Sequence, residues 1–371
     1  MRRLGVEEEL LLIDPVSGVP AAVAGTLLRS VRPESTEEPT AERQPGGEVG
    51  AELQQQQIEV DTRPTQTLAE LRDQLVDGRR RANELAVRTG ARIAALATSP
   101  LPVTPETTPS SRYLAIADHF GLTTAEQLTC GCHVHVEVTS EDEGVGVLDR
   151  IRVWLPVLLA LSANSPFWQG TDSGYASFRS QAWNRFPSAG PTQCWGSAAA
   201  YHREVDLMVS SGVLLDRHMA YFDARLSDRY DTVEIRVPDV CLAIADTVLV
   251  AGLVRALVET AAAEWAEGRP TPDVSAGVLR LATWRAGRSG LAGKLLDPLT
   301  LRPRPAQEVA EQLLNHVWPA LEATGDAAQI DRTWQDLRAQ GTGADFQRQV
   351  WKDSGELVQV VRQSLSRTME L

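Results

Sequence analysis

An α+β fold follows from three features of the sequence. Short stretches with strand-like alternation are separated by long helical or irregular insertions, so the regular βαβ rhythm of a doubly wound sheet is missing. Four of these stretches have one apolar and one polar face, as in an antiparallel sheet covered on one side. The last part of the chain reads as amphipathic helices. With 371 residues, 43% of them hydrophobic, the chain can bury a substantial core without disulfide staples.

Gly5 to Asp14 (GVEEELLLID) reads as the first strand, closed by the turn signal Asp14-Pro15-Val16-Ser17-Gly18. Arg32 to Gly50, rich in Pro, Glu, Thr and Gly, reads as an exposed loop. Gln54 to Thr62 (QQQQIEVDT) reads as the second strand. Thr67 to Ala97 has a helical apolar stripe of Leu68, Leu71, Leu75, Ala82, Leu85, Ile93 and Leu96. Four prolines make Thr98 to Ser111 a connector. Cys130 to Val138 (CGCHVHVEV) alternates strictly and reads as the third strand. Leu148 to Ala163 is an apolar helix containing Pro156. Asn164 to Ser197 is irregular and rich in Gly, Pro, Ser and aromatics, and so long an irregular segment usually serves function. Thr232 to Val237 (TVEIRV) is the fourth strand and Ile244 to Glu267 a long helix. After Arg302, three amphipathic helices are separated by Gly325-Asp326 and Gly341-Thr342-Gly343.

Alternate residues of a strand share a face. Glu7 and Glu9 therefore point together, as do Gln55, Gln57, Glu59 and Asp61. The same holds for His133, His135 and Glu137, and for Thr232, Glu234 and Arg236. A polar face in solvent is one reading. But this set holds no Lys, and crowded carboxylates repel unless a cation neutralises them. A hard cation such as Mg²⁺ favours carboxylate oxygens and bridges them to phosphates. A zinc site on His133, His135 and Glu137 is a third reading, which ranks lower because neighbouring strands supply oxygen ligands in excess. Glu8 lies on the opposite face.

Composition excludes other classes. Lys+Arg total 36 against 49 Asp+Glu, a formal net charge of −13. There is no basic stripe for nucleic acid and no attraction to an anionic membrane. The opening Met1-Arg2-Arg3-Leu4-Gly5 runs straight into acidic residues, and no apolar run reaches the ~18 residues of a membrane helix. With Cys130, Cys132, Cys194 and Cys241 read as ordinary thiols, a reducing cytoplasm is the expected location. GRSGLAGKL (Gly287–Leu295) departs from a P-loop in spacing and ends in Leu where Ser or Thr is required.

Five motifs carry a family resemblance: GVEEELLLID, ELQQQQIEVDT (Glu52–Thr62), CGCHVHVEV, ALSANSPFWQGTDSGYASFRSQAWNRFPSAGP (Ala160–Pro191) and RLSDRYDTVEIRVPDV (Arg225–Val240). In this order they resemble the glutamate–cysteine ligase type 2 family of carboxylate–amine ligases. The resemblance implies a glutamine-synthetase-like catalytic fold: an antiparallel half-barrel with a polar concave face and helices outside. It implies one catalytic domain over residues 1–371, with sheet and active-site loops to about 260 and a helical tail from about 261. It also implies the chemistry. ATP phosphorylates a carboxylate, typically the γ-carboxylate of glutamate, and an amine attacks the acyl phosphate.

Carried over position by position, Glu7, Glu9, Glu52, Glu59, His133 and Glu234 match the family's Mg²⁺-side positions. Arg236 matches the arginine that stabilises the transferring phosphoryl group, and Glu59 and Glu234 belong to the same catalytic set. Arg179 matches an arginine that grips the substrate carboxylate. Arg185 is either a second clamp or a salt-bridge partner. Trp168, Trp183 and Trp195 are either stacking platforms or buried loop anchors, and Asn164 and Ser165 either end a helix or touch ligand. Glu137 and Cys132 depart from the family pattern, and Glu137 would add a carboxylate near the site. The expected function is ATP- and Mg²⁺-dependent amide formation between a small carboxylate and cysteine or another amine, in a possible homodimer. The alternatives are a nucleotide- and metal-binding protein without turnover and a metal-dependent hydrolase.

Overall fold

The computed structural model describes residues 1–29 and 46–370, so the expected Arg32–Gly50 loop lies mostly outside the described residues. Its main sheet is built from β1 (Leu4–Ile13), β2 (Val49–Ala51), β3 (Gln57–Asp61), β4 (Arg92–Ala94), β5 (Cys132–Glu137), β6 (Ala224–Leu226) and β7 (Thr232–Ile235). The order is β2-β3-β1-β5-β7-β6, every pairing is antiparallel, and β4 also pairs with β1. Leu11 of β1 pairs with both Gln57 and Ala94, so β4 continues the β5 side after β5 has turned away. The fold is α+β, as the sequence predicts.

The apolar face builds the core. Val6, Val134, Val136, Val233 and Ile235 pack against Leu249, Val250, Leu253 and Leu257 of the Ile244–Ala266 helix. Val317, Leu321, Ile330 and Trp334 from the helical tail join the same cluster. Each such buried side chain contributes about 1.5–3 kcal/mol relative to exposure, which fixes which face of each strand is hidden.

Several expected boundaries shift. The helix read over Thr67 to Ala97 is Leu68–Arg88, capped by Thr67, whose hydroxyl accepts from the Glu70 N–H at 3.2 Å. Gly90, with φ +79°, turns the chain, and Ile93 belongs to β4. The second strand starts at Gln57, not Gln54, and Gln54 reaches away to the Thr124 carbonyl at 2.9 Å. The Leu148–Ala163 helix is two helices, Glu141–Ile151 and Leu155–Ser162, with Pro156 in the first turn of the second, where its missing N–H costs nothing. The tail holds four helices, because Gly355 at φ +70° divides the third: Ala306–Thr324, Ala327–Gln340, Gly343–Ser354 and Leu357–Thr368.

Candidate active site

The register brings the polar residues into rows. Asp61, Glu7 and His133 lie side by side across β3, β1 and β5, and Glu59 lies beside Glu9. His135, Glu234 and Arg225 form a third row across β5, β7 and β6. Glu52 joins from the segment between β2 and β3, where the Leu53 N–H donates to the Glu52 carboxylate at 3.0 Å. Together these side chains line a cleft of about 640 Å³, walled by Tyr113, Trp183, Phe186 and Tyr221. A smaller chamber of about 340 Å³ adjoins it, sharing Glu7, Asp61 and His135.

Two triads stand out. One oxygen or nitrogen from each of Glu7, His133 and Glu234 falls within 4.8 Å of the others, and the same holds for Glu9, Glu52 and Glu59. His133 Nδ1 lies 3.4 Å from Glu7 and 3.8 Å from Glu234, and its Nε2 lies 3.7 Å from Glu9. His133 therefore bridges the two groups. Its buried Nε2 has no hydrogen-bond partner. Such a polar orphan beside clustered carboxylates is the donor set a hard cation uses.

Charge differs between the triads. Burial, then repulsion from Glu9, pushes the Glu52 carboxyl up to about 7. Burial, then Glu7 and Glu52, holds Glu59 well above the carboxylate range. On the other side, burial is overcome by Arg236 and Arg225, which keep Glu234 well below its usual value. Glu7 is likewise depressed against its burial by His133 and His135. Burial, and then Arg236, pushes His133 down to about 4, so it is a neutral imidazole at pH 7. Glu9, also raised chiefly by its burial, completes a triad of crowded carboxylates short of positive charge.

The cationic wall comes from a hairpin. Arg225 Nε lies 2.6 Å from Glu234, and Arg236 pairs with the other oxygen of the same carboxylate. Arg225 belongs to the RLSDRYDTVEIRVPDV motif, yet neither alternation nor the family resemblance assigns it a role. The signal was the hairpin itself, which sets Arg225 opposite Glu234. Trp183 lines the cleft with the Arg236 guanidinium 6.0 Å above its ring, whereas Trp195 is buried among Tyr201 and Phe222 and Trp168 packs on Phe178.

Other expected residues are placed differently. Arg179 is buried beside the site but does not line the cleft, because it donates to the carbonyls of Val237 and Arg236 at 3.2 and 3.3 Å. It also fills the space where a Cβ on Gly131 would sit. Its two terminal nitrogens are engaged by those carbonyls, while its buried Nε has no hydrogen-bond partner. Arg185 points outward to Glu126 at 2.6 Å, the salt-bridge alternative. Glu137 turns from the cleft to Arg3 at 2.7 Å, so His133, His135 and Glu137 are not gathered as a zinc group. Asn164 and Ser165 are structural, since the Asn164 N–H and the Ser165 hydroxyl donate to Asp239 at 2.9 and 2.7 Å. Cys132 is buried in the core on the face opposite the cleft.

Fold and cleft define an antiparallel-sheet enzyme whose polar face gathers carboxylates, a histidine and arginines at one centre. The family model of glutamate–cysteine ligase family 2 matches residues 3–363, and the chain belongs to that family; it is a ligase. A Streptomyces coelicolor protein provisionally named glutamate–cysteine ligase 2 is 48% identical over 99% of both chains. A similarly named Paenarthrobacter aurescens protein is 46% identical over 99% of this chain and 95% of its own. The glutamate–cysteine ligase of Francisella tularensis, solved in complex with AMP, shares the fold with a TM-score of 0.69 at 11% identity, over 100% of this chain and 89% of its own. A bifunctional glutathione synthetase from Pasteurella multocida has a TM-score of 0.70 at 14% identity, over 99% of this chain and 52% of its own. No described helix is long and apolar enough to cross a membrane.

Proposed function

We propose that this ligase joins a small carboxylate, glutamate by preference, to an amine, using ATP and Mg²⁺ through an acyl phosphate. The observation that carries the reading is the pair of carboxylate-rich triads bridged by His133 on the floor of one cleft, with Arg225 and Arg236 beside them. The family name of its relatives supports glutamate and cysteine as substrates, and the AMP bound to the Francisella ligase supports an adenine nucleotide.

Glu7, His133 and Glu234 would hold one Mg²⁺ and Glu9, Glu52 and Glu59 another. Ions held there would neutralise phosphate charge. Arg236 stays fully charged, because Glu234 and then Glu9 and Glu7 outweigh its burial. Its planar fork, with Nε buried and unpartnered, can still donate to an oxyanion. Arg225 holds the second oxygen of Glu234 and so fixes the carboxylate between the two guanidinium groups. The aromatic wall of Trp183, Phe186 and Tyr221 excludes water from an acyl phosphate that water would otherwise hydrolyse. With Arg179 and Arg185 engaged elsewhere, recognition of the donor's α-carboxylate is left to groups lining the cleft.

The test is phosphate release from ATP, Mg²⁺ and glutamate with a panel of amines that includes cysteine. Release that depends on both glutamate and an amine is expected. ADP formation indifferent to every amine, or no turnover with any pair, would overturn the reading.

A further inference from the structure

The β6–β7 hairpin turn stands over the junction of the two chambers, and Arg229 and Tyr230 on that turn line both of them. The turn is held at its base and flank. Ser227 Oγ accepts from the N–H groups of Arg229 and Tyr230, both at 3.3 Å, and the Val138 N–H donates to the Asp231 carbonyl at 2.9 Å. Tyr230 sets its ring edge-on to His135 at 6.2 Å, which ties the turn to the Glu7 side of the floor.

The arginines lining the chambers differ in one respect. Arg3 pairs with Glu137, Arg112 with Asp216, and Arg225 and Arg236 with Glu234. The nearby Asp228 faces Arg217 and His218 instead. Arg229 alone among these arginines has no carboxylate partner among the described residues, and it lies across from a floor rich in carboxylates. A side chain that can pair with several acids yet pairs with none is available for an anion from outside.

We infer that Arg229 is a nucleotide-binding residue that grips a phosphate of ATP from above while the carboxylate floor acts from below. The inference rests on the proposed ATP-dependent reaction. It does not depend on which chamber takes the base, because Arg229 lines both chambers and Glu7 of the Glu7, His133 and Glu234 triad lines both as well. The competing anion is the carboxylate of the amino-acid donor, which has the same chemistry for a guanidinium.

The experiment is calorimetric binding of MgADP to wild type, R229A and R229K at low and high salt, with KM for ATP and for glutamate measured in parallel. R229A is expected to weaken MgADP binding ~10-fold at low salt and to raise KM for ATP by a similar factor. R229K should recover much of both, because a point charge remains without the fork. The gap between wild type and R229A should shrink at high salt, since the group is exposed. KM for glutamate should change less than ~2-fold, being set elsewhere in the cleft. MgADP affinity unchanged in R229A, or a defect confined to KM for glutamate, overturns the assignment. Wild type that binds no MgADP overturns the ATP reading itself, and no variant is needed to see it.

Discussion

Glu8 and Arg79 form a doubly hydrogen-bonded ion pair, at 2.8 and 2.7 Å, on the face of β1 opposite the carboxylate cluster. Both side chains are only 1% exposed. The remaining Arg79 donors reach the carbonyls of Cys241, Leu242 and Thr368, and the Thr247 hydroxyl donates to Glu8. One pair thus ties the sheet to its first long helix, to the start of the next and to the last helix of the chain. Removing one partner strands a buried charge, which costs about 3–5 kcal/mol. Arg79→Met should lower the thermal midpoint sharply, and the double change Glu8→Leu with Arg79→Met should recover part of the loss. Recovery is read by melting curves, and a double variant no better than the single would refute the stranded-charge account.

Glu59 shows the opposite balance. Burial, and then crowding by Glu7, Glu52 and Glu9, holds it well above its ordinary pKa, so its charged form opposes folding. Glu59→Gln keeps the shape and removes the charge. Turnover of ATP should fall ~100-fold or more, as loss of a metal ligand costs several kcal/mol of transition-state stabilisation. The melting temperature without Mg²⁺ should stay level or rise. A variant with near-normal turnover would show that this carboxylate does not serve the reaction.

Mg²⁺ should therefore stabilise the protein. Ions bound only by the folded state add about 2–3 kcal/mol at a hundredfold excess over Kd. Saturable thermal stabilisation by MgCl2 is expected in wild type, reversed by EDTA. It should be much reduced in Glu234→Gln, which empties one proposed ligand position and leaves Arg225 and Arg236 without a counter-charge. Equal thermal shifts in both proteins would mean that Mg²⁺ acts elsewhere.

The strands of the site were legible because alternation is local: GVEEELLLID and CGCHVHVEV place Glu7, Glu9 and His133 on one face before any tertiary contact is known. Glu52 could be found only through the family motif, since it lies outside any strand. The directions of Arg179 and Arg185 were not legible. A long guanidinium goes wherever carbonyls or a carboxylate stand in the fold, and the Arg236 and Val237 carbonyls and Glu126 are remote in sequence. The three-residue strands β2 and β4 are too short for periodicity to reveal, and Ile93 happened to continue the apolar spacing of the preceding helix across Gly90.

Asp223 gives a dependence of stability on pH that is separate from the acidic triads. It immediately precedes β6, is buried, and its Oδ2 has no hydrogen-bond partner. Burial pushes its carboxyl up to about 7, opposed by Arg280 and Arg179. Below pH ~4 the group is protonated in both the folded and the unfolded chain and costs nothing. As pH rises from ~4 to ~7, the unfolded chain loses the proton while the folded chain keeps it, so stability falls. Above about 7 the full penalty is present, and a three-unit shift corresponds to about 4 kcal/mol. Asp223→Asn removes the titration. The variant's stability relative to wild type should be clearly greater at pH 8 than at pH 4.5, as read from urea midpoints at the two values. A stability difference independent of pH, or a variant less stable at pH 8 than at pH 4.5 relative to wild type, would show that the Asp223 carboxylate is compensated in the fold and that its burial is not the cause.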